Sequence, residues 1–485
     1  MIGGAEGGCG MDTIRMLIDG VRAAGDGTLP VRHKATGEVI AEIAVAGASH
    51  VHAAVDAAER AFRTVTLSPY ERYEIILRAA NLMRERREEF AAALVAEAGK
   101  PIRDARGEID RAYQTLILSA EEAKRLRGET VPLAGAPGCE NRMAFTIRRP
   151  LGVVCAITPF NFPVNLAAHK IGPALAAGNT VVYKPASATP ITASMLCDVF
   201  REAGLPAGCL NLILGEGGPV GDLLAADERI RMFSFTGSVP VGKALRNAVG
   251  FRRISLELGS NSANIVHEDV ADVRWVAERC ARYAFVNAGQ VCISCQRVYV
   301  SRSIYETFCE AAVDAARGFR GGDLMDVHTQ IGPMISEHEA ERIDAWVREA
   351  AAQGARILTG GARTGAFYEP TVLTDVAPDM KVVCEETFAP VFSIVPYDAI
   401  EDAVRAVNDT RYGLQAGVFT RSLAVANYCA EHLEVGGVII GDGATFRMDN
   451  MPYGGVKDSG IGREGPAYAI RAFTEEKLIV LNVEA

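Results

Sequence analysis

Strand and helix patterns alternate without a break between residues 152 and 249, and this alternation restricts the fold of the chain more than any other feature. Apolar runs typical of buried strands are each followed by a stretch with helical periodicity. The predicted strands are 152–157, 180–183, 210–214 and 232–235, and the predicted helices are 166–177, 191–203, 220–226 and 241–249. Strand–helix units of about 25–30 residues predict an α/β fold with a doubly wound, Rossmann-like parallel sheet. Such a sheet binds ligands at the carboxyl ends of its strands.

Similar patterns flank this region. Helices are predicted over 51–62, 72–98 and 109–126, and a second α/β region is predicted over 259–442, with helices 270–286 and 337–353 and strand 297–300. Residues 143–149 and 478–483 alternate apolar and polar side chains, as exposed strands do. Because exposed strand edges favour pairing with another chain, we expect these two segments to pair across a subunit boundary.

The bulk properties exclude several classes of protein. A chain of 485 residues is long enough for two or three domains. A net charge of −10 argues against nucleic acid as a partner. No apolar run of about 18 residues predicts a membrane span. Residues 1–10 lack the features of a secretory signal, and we expect a disordered extension or a start at Met11.

Cysteine usage indicates a reducing compartment. The chain has 11 cysteines, an odd number, and no export signal, which is typical of a cytoplasmic protein rather than of a disulfide framework. The cysteines and the eight histidines show no ligand spacing, so no metal is predicted.

Three residues are candidates for covalent chemistry. Cys292 follows a glycine-containing loop, where a thiol could be a nucleophile, although a buried structural cysteine is the commoner case. Glu257 ends an apolar strand, where burial would raise its pKa toward that of a general base; a solvated carboxylate is the alternative. Asn161 lies between Pro159 and Pro163, which could fix its amide as an oxyanion donor, or it is an ordinary turn residue.

Two glycine-rich turns compete as phosphate sites. Residues 215–221 follow a strand and open a helix, but Pro219 and the glycine spacing depart from G-x-G-x-x-G. Residues 237–244 resemble a Walker A loop, except that Ala244 stands where Ser or Thr must hold magnesium, which argues against a nucleoside triphosphatase. A Gly-Ser turn at a helix N-terminus remains a suitable seat for a pyrophosphate.

Taken in order, seven motifs resemble the aldehyde dehydrogenase superfamily, and the resemblance covers nearly the whole chain. The motifs are TPFNFP (158–163), VVYKPAS (181–187), FTGS (235–238), LELGSNS (256–262), GQVC (289–292), EETFAP (385–390) and PYGGVKDSGIGREG (452–465). The resemblance implies a cofactor-binding domain over 11–130 and 150–258 and a catalytic domain over 259–442. It also implies a β oligomerisation arm over 131–149, with a C-terminal strand within 466–485, and a homodimer or homotetramer.

The resemblance implies an NAD(P)-dependent oxidation of an aldehyde to a carboxylate. Cys292 would attack the carbonyl, and Asn161 with the Cys292 backbone N–H would hold the oxyanion. Hydride transfer would leave a thioester, which water activated by Glu257 would hydrolyse. The implied cofactor contacts are Ile157, Thr158, Phe160, Lys184, Ser187, Gly217, Gly221, Phe235, Gly237, Ser238, Leu258, Glu386 and Phe388.

Some positions depart from the family pattern. Ser187 stands where many NAD-preferring relatives have a glutamate, and a serine beside Lys184 would accept a 2′-phosphate, so we predict that NADP is used. Ser260 replaces a common glycine and is expected to be tolerated. Cys295, three residues after Cys292, is either a structural cysteine or the partner in a reversible disulfide that inactivates the enzyme.

The closing segment resembles the branch that handles short, hydroxylated or anionic aldehydes, such as lactaldehyde, succinic semialdehyde or phosphonoacetaldehyde. Arg111 and Arg447 could bind an acid group on the substrate, and Phe162 and Phe446 could line the pocket. Val291 replaces an arginine of some relatives with strongly anionic substrates, which disfavours a phosphonate.

Three alternatives remain open at this point. A coenzyme-A-acylating dehydrogenase and a γ-glutamyl phosphate reductase would not need Glu257. A non-catalytic binding or structural protein on this fold would be expected to have lost Cys292, Glu257 or Asn161, and all three are present.

Overall fold

The computed structural model describes residues 13–482. The extension predicted for residues 1–10 lies outside this range. The helices are α1 Ala48–Thr64, α2 Pro69–Glu85, α3 Arg87–Ala98, α4 Ile102–Ala123, α5 Pro163–Ala176, α6 Pro190–Glu202, α7 Gly217–Ala226, α8 Val239–Ala248, α9 Val273–Phe285, α10 Tyr305–Arg317, α11 Glu337–Ala352, α12 Lys381–Cys384, α13 Ile400–Asn408, α14 Leu423–His432 and α15 Pro466–Ala472.

The strands range from two to nine residues in length. They are β1 Thr13–Ile14, β2 Met16–Ile18, β3 Val21–Ala23, β4 Thr28–Arg32, β5 Val39–Ala44, β6 Thr130–Val131, β7 Arg142–Pro150, β8 Val153–Ile157, β9 Thr180–Lys184, β10 Leu210–Leu212, β11 Ile230–Thr236, β12 Arg253–Glu257, β13 Ala263–Val266, β14 Arg297–Ser301, β15 Arg356–Thr359, β16 Arg363–Thr364, β17 Phe367–Tyr368, β18 Thr371–Thr374, β19 Val391–Tyr397, β20 Gln415–Phe419, β21 Gly437–Ile440, β22 Gly460–Ile461 and β23 Thr474–Asn482.

The predicted doubly wound sheet is present. Its order is β22–β12–β11–β8–β9–β10–β2–β3, and the five strands from β12 to β10 are parallel. Helix α5 connects β8 to β9 and α6 connects β9 to β10, whereas α7 leads back to β11 on the other side of β8. The strand order therefore reverses between β8 and β11, and the crevice at their carboxyl ends is where such sheets bind dinucleotides.

A second sheet provides the opposite side of this crevice. Its order is β15–β18–β19–β14–β13–β20–β21, and only β15 is antiparallel to its neighbour. Cys292 precedes β14 and Glu386 precedes β19, while Glu257 ends β12 of the first sheet, and all three line one cavity. The carboxyl ends of the first sheet thus face the amino ends of the second. The domain limits given above stay a prediction.

Buried carboxylates fix the starts of α5 and α6. Glu108 accepts hydrogen bonds from the backbone N–H groups of Val164 (2.9 Å) and Asn165 (3.2 Å) and forms a buried ion pair with Lys100. Glu97 accepts hydrogen bonds from Ile191 and Thr192 in the same way. Because carboxylates satisfy the free N–H groups of a first helical turn, α5 begins directly after the loop that carries Asn161.

Two predictions about the periphery were wrong. The β7 and β23 strands pair with each other within one chain, from Thr474 opposite Pro150 to Asn482 opposite Arg142, rather than across a subunit boundary. In the three-stranded sheet β23–β7–β6, β7 is the central strand, so both of its edges are already paired within the chain. The single helix predicted over 72–98 is divided at Arg86, whose ψ is 22°. The buried face continues across this break, so periodicity gave no sign of it.

Within residues 13–482, no helix has the length and apolar character needed to cross a membrane.

Candidate active site

A cavity of about 1440 Å³ lies where the two large sheets face each other. Its walls include thirteen of the predicted site residues: Arg111, Phe160, Asn161, Phe162, Ser187, Gly237, Ser238, Glu257, Leu258, Cys292, Glu386, Phe388 and Arg447. The cavity thus brings together the three candidates for covalent chemistry.

Seven predicted site residues do not line the cavity: Ile157, Thr158, Lys184, Gly217, Gly221, Phe235 and Phe446. The Lys184 ammonium donates to the Pro185 carbonyl at 3.1 Å, and burial lowers its pKa to about 8. Phe446 packs against the core of the second α/β region, and its contact with the substrate stays a prediction.

A left-handed turn delivers Cys292 to the cavity. Asn287, Ala288 and Gly289 have φ values of 53°, 53° and 71°. For Asn287 and Ala288, which have side chains, this conformation costs about 1–2 kcal/mol each. At Gly289 a Cβ atom would lie 2.0 Å from the Ala389 carbonyl oxygen, so only glycine fits. The backbone must therefore be held in this turn by its surroundings.

Asn161 supplies part of that restraint. Its amide nitrogen donates to the Gln290 carbonyl at 2.9 Å, and the Asn287 amide donates to the Asn161 carbonyl at 3.1 Å. These bonds tie the loop after β8 to the loop before Cys292. Because an amide NH₂ group carries two hydrogens, one remains for a ligand beside the nucleophile.

The Cys292 thiol contacts one residue that the sequence did not single out. The Tyr453 hydroxyl lies 2.7 Å from Sγ. Burial raises the pKa of the Cys292 thiol to about 11, while Tyr453 and Arg447 act in the opposite direction. Only the proline and glycines around Tyr453 in PYGG marked this segment, and no local pattern indicates that its hydroxyl reaches residue 292.

Glu257 is a buried carboxyl group. It is 3% exposed, and neither side-chain oxygen has a hydrogen-bond partner among the residues described. Burial, and then the nearby Glu464, raise the pKa of Glu257 well above its usual value. A raised pKa makes the carboxylate a stronger base, which suits it to accept a proton from water.

Ser260 does more than fit the turn. Its hydroxyl donates to the Cys292 carbonyl at 2.5 Å, and its backbone N–H donates to Glu386 at 3.1 Å. The glycine common at this position in relatives could make only the second bond. Ser260 therefore adds a contact with the nucleophile's backbone that a glycine could not make.

The predicted substrate arginines have carboxylate partners. Arg111 forms a two-pronged ion pair with Asp449, at 3.1 and 2.8 Å. Arg447, whose side chain is 7% exposed, contacts Glu464 at 3.1 Å. A third arginine, Arg282, lines the cavity, and no carboxylate among residues 13–482 pairs with it. Its helix α9 ends at Phe285, directly before the left-handed turn.

The crevice fits a dinucleotide. Ser238 is the N-cap of α8, its side chain makes no capping bond, and it lines the cavity together with Gly237 and Val239. Helix N-termini of this kind bind pyrophosphate. Phe388, at φ 46°, meets Phe160 edge-on with 5.9 Å between ring centroids. The nearby Glu386 carboxyl is buried, which raises its pKa to about 7. Residues 13–482 contain no group of three potential metal ligands.

The Cys295 sulfur contacts Asn264 and Cys280. It is fully buried, and Asn264 donates to its sulfur at 3.0 Å and to that of Cys280 at 3.3 Å. Burial raises the pKa of Cys295 well above its usual value, which makes it unreactive. These contacts favour the structural alternative over a disulfide with Cys292.

Comparisons with known proteins agree with this arrangement. A profile of the aldehyde dehydrogenase family matches residues 21–479. The chain is 52% identical over 455 residues to the 3-sulfolactaldehyde dehydrogenase of Priestia aryabhattai, covering 94% of this chain and 95% of that protein.

Solved structures share the complete fold. Aldehyde dehydrogenase 21 from Physcomitrella patens, in complex with the reaction product succinate, is 38% identical with a TM-score of 0.95, covering 98% of this chain and 99% of that one. The glyceraldehyde-3-phosphate dehydrogenase of Methanocaldococcus jannaschii, complexed with NADP, is 39% identical with a TM-score of 0.90, covering 94% and 99%. The predicted fold class is confirmed.

The left-handed turn gives a stability prediction. Gly289→Ala should lower the free energy of unfolding by roughly 2–4 kcal/mol, because the new Cβ meets the Ala389 carbonyl and the residue is left-handed. Gly107→Ala is the matched control, since Gly107 lies within α4 with open space around its Cβ position, and it should stabilise by up to about 1 kcal/mol. Urea unfolding followed by circular dichroism measures both. Equal stability of the two variants would contradict the role of the turn.

Proposed function

Because the chain belongs to the aldehyde dehydrogenase family, we propose that it oxidises a short 2-hydroxyaldehyde carrying a strongly acidic group, of the 3-sulfolactaldehyde class. That the enzyme oxidises an aldehyde to a carboxylate with NAD(P)⁺ follows from the family. The observation that carries the choice of substrate is the 52% identity to a 3-sulfolactaldehyde dehydrogenase over 94% of the chain. One of the two structural relatives is in complex with its product succinate, a dicarboxylate, and the other is named for a phosphorylated aldehyde; both compounds are also acidic.

The geometry supports a role for each of three side chains. The Cys292 thiolate forms a bond to the aldehyde carbon, and the carbonyl oxygen gains a negative charge. The second amide hydrogen of Asn161 and the Cys292 backbone N–H stabilise that charge. The nicotinamide group accepts the hydride when it is bound. The remaining thioester takes up water, which gives a proton to Glu257, and the carboxylate leaves as the sulfur regains its thiol or thiolate form.

Arg282 supports the anionic substrate. It lies one helical turn before Val286, whose N–H bonds to the Arg282 carbonyl, and Val286 packs against the same buried apolar cluster as Cys292 and Phe162. Residues one turn apart have Cβ atoms about 6 Å apart on the same helix face. A sulfonate is ionised at every physiological pH, so a cation without a carboxylate partner is a suitable contact. Arg111, with a side chain 35% exposed beside Asp449, is a second contact at the same cavity.

The surroundings of Ser187 support the use of NADP. Ser187 lines the cavity at the carboxyl end of β9, where it adds no carboxylate to repel a 2′-phosphate. Lys184 ends the same strand, and its ammonium group lies against Pro185 in this structure. We therefore expect NADP to be used beside NAD.

We further propose a cytoplasmic homodimer or homotetramer. Ten free cysteines among the described residues are suited to a reducing compartment. Leu478 and Val480 lie on the same face of the edge strand β23, with 54% and 46% of their surfaces exposed. Exposed apolar side chains on an edge strand are suited to burial against another subunit.

The first prediction concerns the reaction itself. Purified protein should reduce both NADP⁺ and NAD⁺ with 3-sulfolactaldehyde, faster than with lactaldehyde, succinic semialdehyde, phosphonoacetaldehyde, glycolaldehyde or propanal, as followed at 340 nm. Cys292→Ala should remove all turnover because it removes the nucleophile. Turnover that requires coenzyme A would contradict hydrolysis by Glu257. A kcat/KM with NADP below a hundredth of that with NAD would contradict the role assigned to Ser187.

The second prediction tests the anion contact. Arg282→Gln should raise the KM for 3-sulfolactaldehyde about tenfold or more, since a charged hydrogen bond is worth roughly 1.5–3 kcal/mol. The kcat/KM for propanal, which has no acid group, should change less than twofold. Arg274→Gln is the matched control, because Arg274 is exposed on the same helix, pairs with Asp314 and does not line the cavity. An equal loss of kcat/KM with both aldehydes would show that Arg282 does not bind the acid group of the substrate.

The third prediction concerns assembly. The double variant Leu478→Lys and Val480→Lys should shift the protein to a smaller species in sedimentation velocity at micromolar concentration, because it places charges on the apolar face of β23. Leu423→Lys, at a position 76% exposed at the start of α14, is the control and should leave assembly unchanged. A parent protein that sediments as a monomer would contradict the proposal.

A further inference from the structure

The Cys292 sulfur lies within hydrogen-bond distance of the hydroxyl group of a buried tyrosine, Tyr453. Tyr453 is 3% exposed, and its hydroxyl oxygen lies 2.7 Å from Sγ. Among the residues described, the Cys292 sulfur is the sole hydrogen-bond partner of that hydroxyl. A phenylalanine would fill the same apolar surroundings of Val291, Ile293 and Leu414, so the hydroxyl itself needs an explanation.

The tyrosine ring is held on two sides. Its backbone forms two bonds with Glu464, of 3.1 Å through the Tyr453 N–H and 2.6 Å through its carbonyl. The Arg447 guanidinium lies 3.6 Å from the centre of the ring. Arg447 is itself fixed by Glu464 at 3.1 Å and by His169 at 3.3 Å. The hydroxyl is therefore directed at the sulfur by a rigid, charged support rather than by a mobile side chain.

The charges around the sulfur explain why such a contact matters. Glu257 and Glu386 both oppose ionisation of Cys292, and burial opposes it more strongly. The Tyr453 hydroxyl and the Arg447 cation are the groups that favour the thiolate. Burial, and then the cysteine itself, raise the pKa of Tyr453 well above its usual value, which favours the protonated phenol. Opposite a thiolate, it can only be the donor.

We propose that Tyr453 is a further catalytic residue, whose O–H donates a hydrogen bond to the Cys292 thiolate before the thiolate attacks the aldehyde, and that Arg447 is the positioning residue that holds the ring. The proposal rests on Cys292 being the nucleophile. In the step concerned, the S–H bond breaks, its electron pair stays on sulfur, and the proton passes to a base or to water. The phenol changes only from a neutral to a charge-assisted hydrogen bond, which is the stronger kind.

Arg447 then has a different task from the one predicted for it. Its side chain is 7% exposed and already contacts Glu464, His169 and the Tyr453 ring. Its positive charge lies under the aromatic ring, an attractive arrangement that also favours negative charge on the neighbouring sulfur. The contact with the acid group of the substrate falls to Arg282 and Arg111 instead.

The experiment measures the reactivity of the sulfur directly, without substrate. The rate of alkylation of Cys292 by iodoacetamide, followed by mass spectrometry between pH 6 and 11, reports the fraction of thiolate. Tyr453→Phe removes one oxygen atom and should slow alkylation about tenfold at each pH below the midpoint of the thiol, which corresponds to a midpoint higher by about one pH unit. Turnover with the aldehyde should show the same shift in the acidic limb of its kcat/KM profile.

Two further variants separate chemistry from folding. Tyr397→Phe is the control, since Tyr397 is also buried, donates to the Val266 carbonyl and lies outside the cavity, and its midpoint should match the parent. Arg447→Gln should move the midpoint in the same direction as Tyr453→Phe, and Arg447→Lys should recover part of the shift. An unchanged alkylation rate over this pH range in Tyr453→Phe, with the parent's melting temperature, would overturn the proposal. Full activity of Cys292→Ala would instead overturn the proposed function.

Discussion

The contact between the Asn161 amide and the Gln290 carbonyl, at 2.9 Å, joins the two halves of the active site. One partner follows β8, at the point where the strand order of the first sheet reverses, and the other precedes the nucleophile of the second region. Because the turn 287–289 is left-handed at three successive residues, it would relax if this contact and the Asn287 bond were absent. The Asn161 amide therefore holds the strained turn 287–289, and with it the nucleophile, in a fixed position relative to the cofactor crevice.

Buried carboxylates carry that alignment into the rest of the fold. Glu108 holds the start of α5, and its partner Lys100 also lies 3.8 Å above the Phe162 ring, in the loop that follows Asn161. A buried ion pair of this kind adds little net stability, but removing one member leaves a charge without a partner and costs about 3–5 kcal/mol. Such pairs fix where a helix begins, which decides the place of each side chain in the preceding loop.

Local patterns predicted much of this structure. The strands and helices between residues 152 and 249 repeat with clear periodicity, and the positions of Cys292, Glu257 and Asn161 followed from ordered motifs. The β7–β23 pairing could not be predicted in the same way, because a strand pattern gives its exposed edge but not its partner, and the two segments lie more than 300 residues apart. The break at Arg86 was missed because the buried face runs on through it.

The electrostatics of the site depend even more on contacts distant in sequence. Arg111 and Arg447 looked like free cations, but their partners Asp449 and Glu464 both lie near the end of the chain, and Asp449 is more than 300 residues from Arg111. Arg282 and Tyr453 gave no signal, since one reads as a solvated helix residue and the other as an aromatic beside two glycines.

Glu257 and Glu464 are buried carboxyl groups whose pKa values are shifted in opposite directions by their neighbours. Lys170 and Arg447 contact Glu464 and hold its pKa down to about 2, whereas Glu257 lacks a contacting cation and has its pKa raised by burial and by the Glu464 charge. The pKa values of the two buried carboxyl groups are thus shifted in opposite directions, that of Glu464 downward and that of Glu257 upward. Glu257, without a contacting cation, would therefore be the better base for the water that hydrolyses the thioester, whereas Lys170 and Arg447 make Glu464 a weaker base.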